Sequence, residues 1–174
     1  ASGRNGGWGS GLLPMGADAI AERHGHDAAV RMQQAMYDTL DEIERVVAAE
    51  GIDCHFSRGG TVVLARTAAQ EARLRDEIAT ARRYGLGDED LRWLGPTEAN
   101  ERVRATQVRG ATFTPHCAAI HPMRLALGLA EAAERRGVRI HEWSRVESIG
   151  SGEGRTAAAT VRAPFRSEEH TSEL

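Results

Sequence analysis

The sequence predicts a mixed α/β fold, and three observations carry that prediction. Apolar residues recur at helical spacing from Val30 through Met36, Leu40 and Ile43 to Val47, with polar residues on the opposite side. Short β-branched stretches bounded by glycine lie at 61–65, 108–114 and 156–162. Helical and extended segments then alternate without an internal repeat, in the order helix, hairpin, helix, strands, helix, strand, strand. The 174 residues suffice for one domain or parts of two, and 41% hydrophobic with 27% charged residues is an ordinary globular composition. With 22 basic and 25 acidic residues the formal charge is −3, which excludes a polycationic nucleic-acid binder. No apolar run approaches the ~18 residues of a membrane span, and the first residues lack a secretory pattern. A soluble, cytoplasmic protein with no nucleic-acid or membrane partner is expected.

The elements follow in order. Residues 1–16 hold too many glycines for a helix or regular strand. A helix of about six turns is expected from Asp27 to the stop at Gly51, with Met32, Met36 and Tyr37 in the core. Gly59-Gly60 between two apolar stretches predicts a hairpin over 53–65. Thr67 with Gln70 forms a capping-box pattern opening a second helix through Tyr84, closed by Gly85, with its arginines solvated. Leu91–Leu94 reads as a short strand, Gly95-Pro96 as the start of a brief helical turn, and Val108–Thr114 as a strand. Pro122 suits the first position of a third helix, with His121 at or near its cap, Leu125, Leu129 and Ala132–Ala133 inward, and Gly137 at its end. Val138–Trp143 alternates as a strand, Val146 and Ile149 lead into a glycine-rich turn, and Thr156–Arg162 makes one more strand.

All 22 basic residues are arginine, the mark of a GC-rich coding sequence. Residues 166–174 abandon that style and read as a translated sequencing adapter, so they are set aside as an artefactual tail. Removing their one arginine and three glutamates leaves 21 basic residues against 22 acidic. The rest reads as a fragment cut at both ends.

Chemically, the most suggestive stretch is Ser2-Gly3-Arg4-Asn5-Gly6-Gly7. Glycines remove Cβ obstruction, exposed N–H groups can face phosphate oxygens, and one arginine supplies charge. It is neither G-x-G-x-x-G nor a Walker loop, and a flexible terminal linker is the alternative. His116, Cys117 and His121 lack metal-ligand spacing, and no carboxylate stands near them in the sequence. Two cysteines, Cys54 and Cys117, cannot build a disulfide framework and read as free buried thiols. His24 and His26 fall in a polar loop.

The run Ala1–Gly7, the segments Ile120–Ala130 and Gly137–Glu142, and Arg145–Ile149 resemble FAD-dependent oxidoreductases of the D-amino-acid-oxidase superfamily, in order and spacing over 1–163. The resemblance implies an incomplete Rossmann-like FAD-binding domain with an inserted mixed-sheet substrate domain. Residues 1–51 would form the first part of the FAD-binding domain, 52–119 a portion of the substrate domain, and 120–165 the second part of the FAD-binding domain. Ser2, Gly3, Arg4, Asn5, Gly6 and Gly7 would lie along the pyrophosphate and flavin. Val146 would meet adenine through its backbone, a role compatible with an ordinary buried strand valine. Trp8 would pack near the flavin or anchor against the first helix, and His121 would cap its helix or approach substrate.

The implied chemistry is hydride transfer from the C–N carbon of a small amine or amino acid to flavin N5, giving an imine that hydrolyses, with the cofactor doing the redox work. The catalytic residues stay unassigned. The family's opening strand, G-x-G-x-x-G turn and ribose-binding acid have no counterpart in the chain, so the chain alone is expected neither to fold stably nor to hold FAD. The rival readings are a non-catalytic α/β binding module and an inert truncated product.

Overall fold

The computed structural model describes residues 2–13 and 15–163, so the adapter-like segment 166–174 lies outside the described residues. The class is mixed α/β, and every described strand pair is antiparallel. Two compact units emerge, residues 2–128 and residues 129–163.

The first unit opens with a 3-10 turn at Ser2–Arg4 and strand β1 (Trp8–Ser10), where glycine content had argued for neither. Pairing overrides propensity here: Trp8 to Ser10 register against Ala119 to Cys117 of β6 (Cys117–Ala119). Helix α1 (Ala17–His24) follows, bracketed by Gly16 and Gly25, so His24 lies on a helix rather than in a loop. Its Ile20 joins Ala29 and Tyr84 in one small core cluster. Helix α2 (His26–Glu50) buries Ala29, Tyr37, Leu40 and Val47 along one face and stops at Gly51, whose φ of 66° is left-handed. Met32 is 45% exposed and is not a core residue, whereas Tyr37 is.

The expected hairpin over 53–65 does not form. Strand β2 (Ser57–Arg58) pairs with β6, while β3 (Thr61–Ala65) pairs with β5 (Gly110–Thr114). Gly59-Gly60 therefore carries the chain from one three-stranded sheet (β1-β6-β2) to another (β3-β5-β4, with β4 at Arg92–Leu94). Gly60 holds that crossing: its φ is +75°, a Cβ would lie 2.4 Å from the Thr114 carbonyl, and its N–H donates to Cys117 O at 3.0 Å.

Helix α3 (Ala68–Arg83) starts on the expected capping box, with both Thr67 and Gln70 bonds present. Its arginines are not simply solvated. Arg75 stacks over Trp93 at 3.9 Å, and Arg82 donates to the carbonyls of Leu86, Gly87 and Leu91 at 2.7–2.9 Å. Helix α4 (Pro96–Arg102) begins with Pro96 in its first turn, and its Ala99 packs with Leu94 and Ala111 in a second core cluster.

At the far end of α3, Asp18 accepts the Tyr84 hydroxyl at 2.7 Å and Arg83 Nη2 at 3.0 Å, joining α1 to α3. The Tyr84 hydrogen bond, assisted by Arg83, holds its carboxyl below the ordinary value of 3.8. A depressed carboxylate contributes stability above its unfolded pKa and loses it as pH falls through the folded one. Asp18→Asn is therefore expected to lower the melting temperature slightly at pH 7 and to converge with the parent as pH drops below 3.8. Thermal melts across that range check it.

Helix α5 (Pro122–Arg135) is capped by His121, whose Nδ1 accepts the Arg124 N–H at 3.3 Å and whose carbonyl accepts Leu125 N–H at 3.0 Å. In the second unit the helix ends at Gly137, φ +86°, with Val138 N–H returning to Ala133 O at 3.1 Å. Ala132 is buried there, while Leu129 is largely exposed rather than inward. A meander of β7 (Val146–Gly150), β8 (Glu153–Thr156) and β9 (Thr160–Arg162) completes the unit. Two expectations fail in it. Residues 138–143 are not a strand, because no described strand pairs with them and alternation alone does not satisfy a backbone. Thr156–Arg162 is divided, Thr156 ending β8 and a turn leading to β9.

Candidate functional site

The glycine-rich entry is fixed at one end and open at the other. Gly7 is the fixed end: its carbonyl accepts Ile120 N–H at 2.8 Å, its φ is +71°, and a Cβ there would sit 2.5 Å from Ile120 O. Asn5 Oδ1 accepts the Gly7 N–H at 2.9 Å, tightening the turn. Gly3 packs on Met123, whose Sδ would lie 2.8 Å from an added Cβ. Gly6 is exposed and has nothing within 4 Å of the place its Cβ would occupy. Arg4 is exposed and has no partner among the described residues. Together these residues present side-chain-free backbone and one guanidinium on an open surface, which fits a flat, anionic dinucleotide.

The remaining predicted residues fall as follows. Trp8 is 76% exposed, so it anchors to no helix. Val146 lies on β7 opposite Thr156, at a register irregularity, and is 51% exposed rather than buried. Cys54 and Cys117 are free and buried. Among the described residues no group of three or more His, Cys, Asp and Glu could hold a metal, and no helix is long and apolar enough to cross a membrane.

The structure also builds a feature that the sequence hid. A cavity of about 310 Å³ lies in the first unit, lined by residues 11–13 and 15–17, by α2 and α3, and by strands β3 and β5. His116 lines it, stacked on Tyr37 with ring centroids 3.5 Å apart, and its Nε2–H donates to Asp90 Oδ1 at 2.9 Å. The carboxylate missing from the local sequence thus arrives from 26 residues away. Burial, with Asp90 nearby, pushes the Tyr37 hydroxyl up to about 12, so it stays protonated at neutral pH.

Solved structures share this architecture. Glycine oxidase from Geobacillus kaustophilus superposes with a TM-score of 0.65 at 24% identity, over 94% of this chain and 43% of its own. L-amino acid deaminase from Proteus vulgaris gives 0.67 at 17%, over 94% and 41%. The chain thus shares its fold with a glycine oxidase and an L-amino acid deaminase. A family model described as FAD dependent oxidoreductase (DAO) matches residues 1–170, and the chain belongs to that family. Among curated proteins, gamma-glutamylputrescine oxidoreductase of Escherichia coli (strain K12) is 31% identical over 149 residues, 86% of this chain. The probable oxidoreductase OrdL of Haemophilus influenzae is 28% identical over 167 residues, 92% of this chain. The chain spans only 34% and 38% of those two relatives.

Proposed function

We propose that the protein to which this chain belongs oxidises the C–N bond of a small amine or amino acid, working in the cytoplasm with FAD. When bound, the flavin supplies the two-electron oxidation. The part of the present residues is to bind and orient. Ser2, Gly3, Arg4, Asn5, Gly6 and Gly7 would hold the pyrophosphate and flavin, and Val146 would meet adenine through its main chain. Residues 1–51 and 120–165 would belong to the FAD-binding domain and 52–119 to the substrate domain. The reading is carried by one observation: the open, Cβ-free backbone at Gly6 beside the exposed guanidinium of Arg4, which has no partner among the described residues. The exposed apolar side chains of Val138, Ile140, Trp143 and Ile149 support it, as a surface that the rest of a flavin domain would cover.

The test is titration of FAD into the full-length apoprotein. The parent is expected to retain flavin through purification. Arg4→Ala should weaken FAD about tenfold, the scale of one lost charge-assisted bond, while Arg23→Ala, on the exposed side of α1, should not. A colourless full-length protein without affinity for FAD overturns the proposal.

A further inference from the structure

We infer that His121 is a proton-sensitive latch on the glycine-rich entry: its unprotonated ring caps α5 and steadies the entry, and acid releases both. The flavin consequence rests on the proposed function; the latch itself does not.

The hydrogen bond at the start of α5 fixes the state of the ring. A backbone N–H can only donate, so His121 Nδ1, 3.3 Å from the Arg124 nitrogen, accepts through a free lone pair. The proton of the neutral ring therefore sits on Nε2. Serine, aspartate or asparagine in this place would remain an acceptor down to mildly acidic pH, but a protonated imidazole has two donors and no acceptor. The Arg124 N–H would then face another N–H, and a full positive charge would sit on the positive end of the α5 dipole.

The charged and titratable groups around the ring come from two elements. From segment 53–55, His55 meets His121 edge-on with ring centroids 5.9 Å apart, and Asp53 Oδ1 lies 4.0 Å from His55 Nε2. Buried Cys54 lends its carbonyl, which accepts the His121 N–H at 2.7 Å. From α5 comes Arg124, whose Nη1 is 2.7 Å from Asp53 Oδ2. Asp53 is thus shared between Arg124 and His55, and no carboxylate among the described residues pairs with His121. A cap formed only by the unprotonated ring contributes its stability at higher pH and loses it as pH falls.

The residues flanking this cap are the floor of the entry. Ile120 donates its N–H to Gly7 O at 2.8 Å, and Pro122 Cδ lies 3.5 Å from the place of a Cβ on Gly7. Met123 seats Gly3, with Sδ and Cε each 2.8 Å from the corresponding position. Fraying of the first turn of α5 therefore withdraws support from Gly3 and Gly7 together.

The experiment compares the full-length protein at about pH 8 and about pH 5.5, which bracket the histidine range. FAD titration reads the entry, and the Arg124 amide resonance of the 15N-arginine-labelled apoprotein reads the latch directly. The parent is expected to bind FAD about three- to tenfold more weakly at the lower pH, the scale of one helix cap. Its Arg124 amide should shift along the same titration. His121→Asn, which caps without titrating, should match the parent at the higher pH and lose most of the pH response, while His55→Gln should keep it. Equal FAD affinity at both pH values, an Arg124 amide that does not titrate, or a response that survives in His121→Asn overturns the inference. Absence of FAD binding at both pH values overturns the proposed function instead, and the amide titration then decides the latch.

Discussion

Gly7→Ala is expected to destabilise the protein by about 2–4 kcal/mol and, under the proposed function, to weaken flavin binding. Two effects add. A left-handed φ of +71° costs an alanine roughly 1–2 kcal/mol. The new methyl would also lie 2.5 Å from Ile120 O, a backbone atom that cannot swing away as a side chain can. The Ile120 N–H is meanwhile tied to Gly7 O at 2.8 Å, so relief of the clash would cost that bond. Gly6→Ala is the control that separates folding from binding. Nothing lies within 4 Å of its would-be Cβ, so its stability should change by no more than about 1 kcal/mol. Under the proposed function, however, that methyl obstructs the approach of the cofactor and flavin affinity falls. Urea denaturation and FAD titration of both variants check the pair. Equal stability of the two would contradict the role given to the Gly7 backbone, and full flavin affinity in Gly6→Ala would contradict the proposed binding surface.

The second large effect is expected at Leu40. Its side chain is 1% exposed on α2, and its Cδ2 lies 3.1 Å from the position a Cβ on Gly9 would take, so it supports β1 from beneath. Leu40→Ala should cost about 2–5 kcal/mol through lost burial and the cavity left behind. Leu40→Met, which keeps the volume, should cost less than about 1.5 kcal/mol. Denaturation midpoints distinguish them. Because β1 continues directly from Gly7, the proposed function predicts that the alanine variant also binds flavin more weakly.

What was legible in the sequence was local. The capping box at Thr67, the stop at Gly51 and the His121-Pro122 start of α5 each depend on groups within four residues of one another, and each is present. Strand partners were not legible in the same way. Two glycines between β-rich stretches suit a hairpin, yet β2 and β3 belong to different sheets because their partners, β6 and β5, lie 45 or more residues downstream. The same distance effect hid the Asp90–His116 bond. At 138–143 a periodic pattern was present without a neighbouring strand, and a ladder needs both. For the candidate site, Ser2 to Gly7 were legible as a composition, but not the division between a locked Gly7 and an open Gly6, which is set by Ile120.

The double crossing between sheets has a mechanical consequence. The chain passes from β2 to β3 at Gly59-Gly60 and from β5 to β6 at Pro115-His116, and the Gly60 N–H bond to Cys117 O rivets the two passages together. Two straps side by side resist shear where one would swivel. Tension on β3, at the cavity wall, is therefore transmitted through β6 to β1 and the glycine entry ahead of it. The amide protons of both sheets should accordingly exchange as one cooperative block.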